Sequence, residues 1–477
     1  KWLIMNSISN IKNTIKNNEG FDIVIIVASN GNSKYWEKRL KKTKKEVLPK
    51  KTKILCIEEK WNNQEGAGQL LGTLNAFNLA EKKIKIKRAL KNKKSIAIYH
   101  TAGKGKRMAP LCGAEKNNKP AIKLPRPIKI DRKNNLFSLL EAVIYSTQIF
   151  SNGREGRICV FWGDQVAIPS NNIRKNIYSP IEIFGIKRKF PSSEKNWKED
   201  WKHYGILIKK GEEVLQREKL TWRKIKKQTT GREIIFQSTG CFSVSFIFLN
   251  NLLKEFQKEL RLKNVKLDID PCLWMPLTSN KKEFLENGGN KKYWERINSF
   301  KKKISAKEAP LISVTDLGRK TLWWDYGNLS CYYKNILKTT GISKEGNMSR
   351  KFFAIDKFFI KKKGGIKKSI VINSKVNGKI ENSVILNSKI NKADIKNTII
   401  INSEIENIKG RYLVLYYLKE KNKMSPLPNE IITDIKLKEN IVRMKTKISR
   451  DGKKDWEIRL PQNPFSYKKI TNLINNK

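Results

Sequence analysis

Residues 95–125, SIAIYHTAGKGKRMAPLCGAEKNNKPAIKLP, hold side chains of the types that handle polyphosphates. Gly103 and Gly105 permit a tight turn and a close approach of backbone to a ligand. Arg107 offers a planar fork of donors that matches phosphate oxygens, and Lys119 and Lys123 bring two more cations to the same stretch. The chemistry that fits is recognition of a polyanion, most simply a nucleoside triphosphate. In a chain with 100 Lys+Arg among 477 residues, lysines near a glycine turn also arise by chance, so the surrounding elements must decide.

Those elements come in a telling order. Ser95 to Tyr99 reads as a short buried strand leading into the turn, and Pro110 with the polar loop 113–118 argues against an immediate long helix. Residues 158–166, ICVFWGDQV, form an apolar run that delivers Asp164 at its carboxyl end, where open α/β sheets place ligands. A second apolar run, within LWWDYGNLSCYY at 322–333, closes on Asp325. Between them, HYGILIKKGEEVLQREKL at 203–220 alternates like a hairpin joined by a Lys-Lys-Gly turn.

This succession resembles the sugar-nucleotide nucleotidyltransferases, in which a strand leads to a Gly-x-Gly-x-Arg-Leu/Met-x-Pro loop and then to a lysine before a Leu-Pro pair. The matching positions are Gly103, Gly105, Arg107, Met108, Pro110, Lys119 and Leu124-Pro125. Lys106 stands where family members usually have Thr, and Lys119-Pro120 reverses their Pro-Lys order. Lys119 is preferred over Lys123 as the family lysine by its distance from the Leu-Pro pair. The resemblance implies that Asp164 and Asp325 hold Mg²⁺, a hard cation suited to one or two carboxylates plus phosphate oxygens. It further implies that Lys219 contacts the sugar phosphate, Glu218 the sugar, and Gly240 the sugar through backbone; Leu220 replaces the usual Pro after that lysine. The front of the chain, with FDIVIIVASN (21–30), TKILCIEE (52–59) and the glycine turn at Gly66 and Gly68 before Thr73-Leu74, is similar to the introduction of fucose-1-phosphate guanylyltransferase-like enzymes.

Residues 369–408 carry a different signal. Isoleucines recur at 380, 385, 390, 395, 400 and 405, with Ser, Ala or Thr two before each from Ser383 onward and Asn recurring between them. A short repeat cannot bury its apolar stripe alone, and stacking successive turns as a parallel β-solenoid would solve the problem. The family resemblance favours a left-handed β-helix of hexapeptide repeats, while the five-residue spacing is closer to a right-handed pentapeptide coil.

The expected fold is therefore α/β: a Rossmann-like mixed, mainly parallel sheet of nucleotide-diphospho-sugar transferase type, followed by a parallel β-helix. The catalytic region is expected over 18–345, a linker over 346–368 running through KKKGG, the solenoid over 369–410, and an extension of unread role over 411–477. Stretches around 190–202 and 285–305, rich in Lys and Trp, look like inserted loops.

The net charge of +56 favours nonspecific polyanion binding at low salt, yet the excess runs through nearly every segment and no zinc-finger spacing or other nucleic-acid module appears. Six scattered cysteines fit reduced thiols and an intracellular, reducing compartment, cytoplasm or plastid stroma. Two histidines, His100 and His203, leave no room for a multi-histidine metal site, and no apolar run is long enough to span a bilayer. The expected partners are a nucleoside triphosphate and a sugar 1-phosphate, with Mg²⁺ as cofactor and homo-oligomerisation through the β-helix as an option. UTP and glucose 1-phosphate are favoured over GTP with fucose or mannose 1-phosphate. A non-catalytic scaffold and a charge-driven polyanion binder are the alternatives from other classes.

Overall fold

The computed structural model describes residues 2–63, 65–173, 179–218, 220–304, 310–362, 365–438 and 440–475. The fold is mixed α/β and divides into two compact units, each assembled from separated stretches of chain. One runs to Ala102 and takes in Thr147–Trp162 and Ile168–Thr321; the other comprises Gly103–Ser146, Gly163–Ala167 and the chain from Leu322 onward.

The first unit is built on a nine-stranded sheet. Strands Ile23–Ala28, Lys53–Glu58, Ile96–His100 and Arg157–Trp162 pair in parallel, with Ile23–Ala28 between Lys53–Glu58 and Ile96–His100. Ile23–Ala28 is IVIIVA and buried throughout, as expected of a parallel strand covered on both faces. The long strand Ile234–Ser245 adds on antiparallel to Arg157–Trp162 and pairs with Ile181–Lys187 and Ile206–Lys210. The hairpin of Ile206–Lys210 and Glu213–Arg217 turns at Gly211, where φ is +56°.

The 190–202 and 285–305 stretches differ from the expected loops. Glu194–Asp200 is a helix, and its Trp197 is buried with Trp201, Ile206, Ile208, Leu220, Ile225 and Ile235. Lys291–Ile304 is an amphipathic helix that buries Ile297 and Phe300. Their lysines cover the solvent side of ordinary helices, which is why composition alone suggested insertions.

The second unit contains a curled, strand-rich sheet of eleven strands from Phe358 to Lys447. Most neighbours are parallel, and the pairs Val384 beside Ile399, Lys389 beside Glu404 and Ile399 beside Val414 are each 15 residues apart, three of the five-residue repeats. Ile380, Ile385, Ile390, Ile395, Ile400 and Ile405 are all buried in one cluster. The serines that precede them form hydrogen-bonded files. Ser388 Oγ donates to Leu386 O and accepts from Ser403 N, and Ser403 Oγ donates to Ile401 O and accepts from Leu418 N. Asn373, Asn382, Asn387, Asn397 and Asn402 sit at corners with φ between +46° and +50°, the left-handed region that Asn tolerates best after Gly.

Two expected boundaries shift. The 346–368 stretch contains most of helix Lys344–Phe352, capped by Ser343, and strand Phe358–Lys362; residues 363–364 lie outside the described residues. The stacking also passes residue 410, through Val414–Tyr416, Lys419–Met424 and Glu430–Lys436. There Tyr412 and Tyr417 take the left-handed corners and leucines replace the inward isoleucines, so the repeat fades in sequence before it ends in space. Among the described residues no helix is long and apolar enough to cross a membrane.

Candidate active site

The second unit gathers most of the residues that sequence singles out. Gly103 and Gly105 both adopt positive φ, +147° and +60°. A Cβ on Gly103 would meet open space, whereas one on Gly105 would stand 2.6 Å from Cys112 Sγ and 3.1 Å from Lys119 Cβ. The loop therefore has an open side at Gly103 and a packed side that bears on Lys119. Arg107, in the short helical turn Lys106–Met108, is exposed and makes no ion pair among the described residues.

Lys119 opens the turn Lys119–Ala121, and its Nζ donates to Asp164 Oδ2 at 2.6 Å. Asp164 lies in the turn before strand Gln165–Ile168, which pairs with Leu322–Asp325. Tyr326 N donates to Asp164 O at 2.8 Å, so backbone fixes Asp164 next to the residue that follows Asp325. Asp325 Oδ1 accepts from Gly327 N at 2.6 Å. A methyl on Gly327 would stand 2.8 Å from Asp325 Oδ1 and 3.6 Å from Asp164 Oδ2, so both carboxylates look onto one small space. Asn328 then caps helix Leu329–Leu337, and Asn335 of that helix donates to Asp325 O.

Burial raises the carboxyl of Asp164, but the Lys119 ammonium and the charge of Arg107 outweigh it and hold that group below its ordinary value. Asp325 goes the other way: burial and the neighbouring Asp164 charge raise it, against the lowering effects of the Gly327 N–H, Lys119 and Arg107. Two carboxylates and two cations thus share a field.

Lys123 has another environment. Its Nζ donates to Glu115 Oε2 at 2.9 Å and Ala121 O at 2.7 Å, and Glu115 Oε1 accepts from Tyr416 at 2.6 Å. Tyr416 also accepts from Lys123 N, and Tyr332 donates to Lys123 O. With 4% of the residue exposed, this is an internal tie to the curled sheet, so the expected substrate contact at Lys123 gives way to a structural one. Sequence offered no sign of it, because Glu115 is one acid in a polar loop and Tyr416 lies 293 positions from Lys123.

Glu218 and Gly240 belong to the first unit. A Cβ on Gly205 would stand 2.8 Å from Glu218 Oε2, and Gly240 has φ of +74° with Trp162 Nε1 2.5 Å from where its Cβ would be. Lys219 lies outside the described residues. In the same unit, burial lowers His100 to about 4, and Thr73 Oγ1 lies 2.8 Å from its Nε2, so it is a neutral, satisfied ring.

The chain matches no protein-family model and no curated protein. The site must therefore be read from its own chemistry. Two carboxylates facing one space fit a divalent cation that completes its shell with phosphate oxygens; among the described residues no group of three or more His, Cys, Asp or Glu could hold a metal by itself. The open glycine turn and Arg107 fit the polyphosphate. Cys112, the thiol packed against Gly105, is buried and pushed up to about 12, which leaves it inert as a nucleophile near neutral pH.

Proposed function

We propose that this protein is a nucleotide-sugar pyrophosphorylase, with UTP and glucose 1-phosphate as the favoured pair. The observation that carries the reading is the convergence of Lys119, Asp164 and Asp325 in the unit that also holds the open Gly103–Arg107 loop. An oxygen of the sugar 1-phosphate attacks the α-phosphorus of the triphosphate. A new P–O bond forms, the α–β bridging bond breaks, and its electron pair leaves with pyrophosphate. Arg107 and Lys119 neutralise the charge that builds on the leaving group, which is where a positioned cation contributes most. Asp164 and Asp325 would hold Mg²⁺, which would supply positive charge to offset that of the phosphates. Direct displacement suits a site whose neighbouring thiols, Cys112 and Cys331, are both raised by burial.

On this reading, the parallel strands of the first unit are a Rossmann-like nucleotide fold, and the curled sheet of the second is a β-helix. Reduced cysteines fit an intracellular setting; all six are free, four of them buried. The strands Ile23–Ala28 and Lys53–Glu58 precede the loop yet pair in the central sheet, which keeps a GTP-dependent fucose or mannose 1-phosphate guanylyltransferase as the second reading. The test is a panel of nucleoside triphosphates against sugar 1-phosphates with Mg²⁺, reading pyrophosphate release. Turnover confined to UTP with glucose 1-phosphate is expected. A GTP preference would move the assignment to the second reading, and silence with every pair would remove the enzymatic one.

A further inference from the structure

The stretch beyond Lys447 has no counterpart in the sequence motifs, yet it closes over the back of the glycine loop. Gly452 approaches Lys106 O so closely that a side chain there would collide with it. The Trp456 ring lies 5.2 Å from Lys106 Nζ, within reach of a cation–π attraction. Trp456 packs with Ala109, Ile435, Tyr467, Ile470 and Ile474 in one buried cluster. A Cβ on Gly113 would stand 2.6 Å from Ile435 Cδ1 and 3.7 Å from Ile474 Cδ1, so the loop touches this cluster at Gly113 as well as at Ala109. Asn117, held at φ of +60°, donates from Nδ2 to Thr471 O at 2.9 Å and to Asn475 Oδ1 at 2.8 Å, both in the final helix Tyr467–Asn475.

We infer that the segment from Gly452 to Asn475 is a brace for the triphosphate loop, with Trp456 and Asn117 as positioning residues. The inference rests on the nucleotidyltransferase reading. Lys106 and Met108 flank Arg107: Lys106 meets Gly452 and Trp456, Met108 is buried, and Arg107 between them is exposed. A guanidinium carried on a pinned backbone meets phosphate without first ordering its loop, and sparing that cost strengthens ligand binding without adding a contact. The brace acts on the ligand only through Arg107 and the backbone at Gly103 to Gly105. Its loss should therefore appear in the triphosphate KM.

The test uses the full chain with three variants. Asn117→Gly removes the two hydrogen bonds while keeping a residue at ease at positive φ, Trp456→Ala removes the ring, and Trp456→Phe restores an aromatic face. Hydrogen exchange of residues 103–118 and steady-state pyrophosphate release are both measured. Asn117→Gly and Trp456→Ala should speed exchange in that stretch and raise the triphosphate KM roughly five- to tenfold, the scale of one or two lost weak contacts. The kcat should fall as well, because Arg107 also neutralises the leaving group, while the sugar 1-phosphate KM should stay within about twofold. Trp456→Phe should recover most of both effects. Unchanged exchange overturns the brace. An unchanged triphosphate KM, or an equal rise in the sugar 1-phosphate KM, reduces the segment to a purely structural role and overturns the positioning claim. Wild-type protein inactive with every triphosphate fails the functional reading and the positioning claim together, and exchange then judges the brace by itself.

Discussion

Asp164 and Asp325 face one space beside Gly327, and their carboxyls are pushed in opposite directions, Asp164 below its ordinary value and Asp325 above it. Asp164 has the Lys119 ammonium at 2.6 Å, while Asp325 is raised by burial and by Asp164 itself. One aspartate is stabilised as an anion by the folded chain. The other is destabilised as an anion by burial and by its neighbour's charge.

The two neutral amides should then differ in stability while agreeing in function. A group with a lowered folded value stabilises above its ordinary range and loses that contribution as pH falls through the lowered value. A group with a raised folded value stabilises at low pH and loses its contribution as pH rises through the raised value. With chelator present near neutral pH, Asp164→Asn should lower the thermal midpoint and Asp325→Asn should raise it. The gap should narrow as pH falls through the carboxylate range. Both should abolish pyrophosphate release. Equal destabilisation by the two substitutions would contradict the shared field.

The two lysines of the loop region separate in the same manner. Lys119→Ala should cost most of the activity and some stability, since it removes the main counter-ion of Asp164, but less than the Lys123 change because the Asp164 side chain is 22% exposed and keeps the charge of Arg107 nearby. Lys123→Ala should be costly to the fold, because it strands Glu115 in a site where both side chains are under 10% exposed. Removing one member of a buried pair typically costs about 3–5 kcal/mol. Denaturant unfolding and pyrophosphate release, measured on both variants, check the assignment.

In the curled sheet, Ile390 and Ile395 are 1% and 3% exposed, so Ile390→Asp or Ile395→Asp should unfold the stack by burying an unpaired carboxylate, at a cost of several kcal/mol. Lys389→Asp should be nearly silent. Lys396 is a poorer control, because it pairs with Glu381 at 3.0 Å and an aspartate there would face a like charge. Circular dichroism of the three aspartate variants decides whether the inward row governs stability.

Local chemistry made parts of this molecule legible before coordinates. Period-two and β-branched runs mark the central strands, and the five-residue spacing of isoleucines marks the stacked ones. The Ser and Asn that accompany them now have causes: hydroxyls that link strands paired 15 residues apart and amides that tolerate left-handed corners. The resemblance to nucleotidyltransferase motifs, in their order along the chain, grouped Lys119, Asp164 and Asp325 as one candidate site. Long-range pairings were not legible. Nothing near Lys123 announces Tyr416, and nothing near Asn117 announces a helix 354 positions later. Gly327 too had a signal in the sequence, a glycine two residues after a strand-ending aspartate.

Gly327 supplies the most direct probe of the site. Its φ is not in the left-handed region, so Gly327→Ala imposes no backbone strain of that kind, and the added methyl would stand 2.8 Å from Asp325 Oδ1 and 3.6 Å from Asp164 Oδ2. The methyl would crowd Asp325 Oδ1 and enter the space that both carboxylates face. Gly327→Ala should raise the half-saturating Mg²⁺ concentration by roughly tenfold or more, the scale expected when a neighbour of a metal ligand is disturbed. Gly211→Ala is the matched control: at φ of +56° with open space around it, it should cost about 1 kcal/mol of stability and leave the Mg²⁺ response alone. Magnesium titrations of pyrophosphate release for the two variants give the answer. An unchanged Mg²⁺ response in Gly327→Ala would mean that Asp164 and Asp325, though neighbours, do not share the ion.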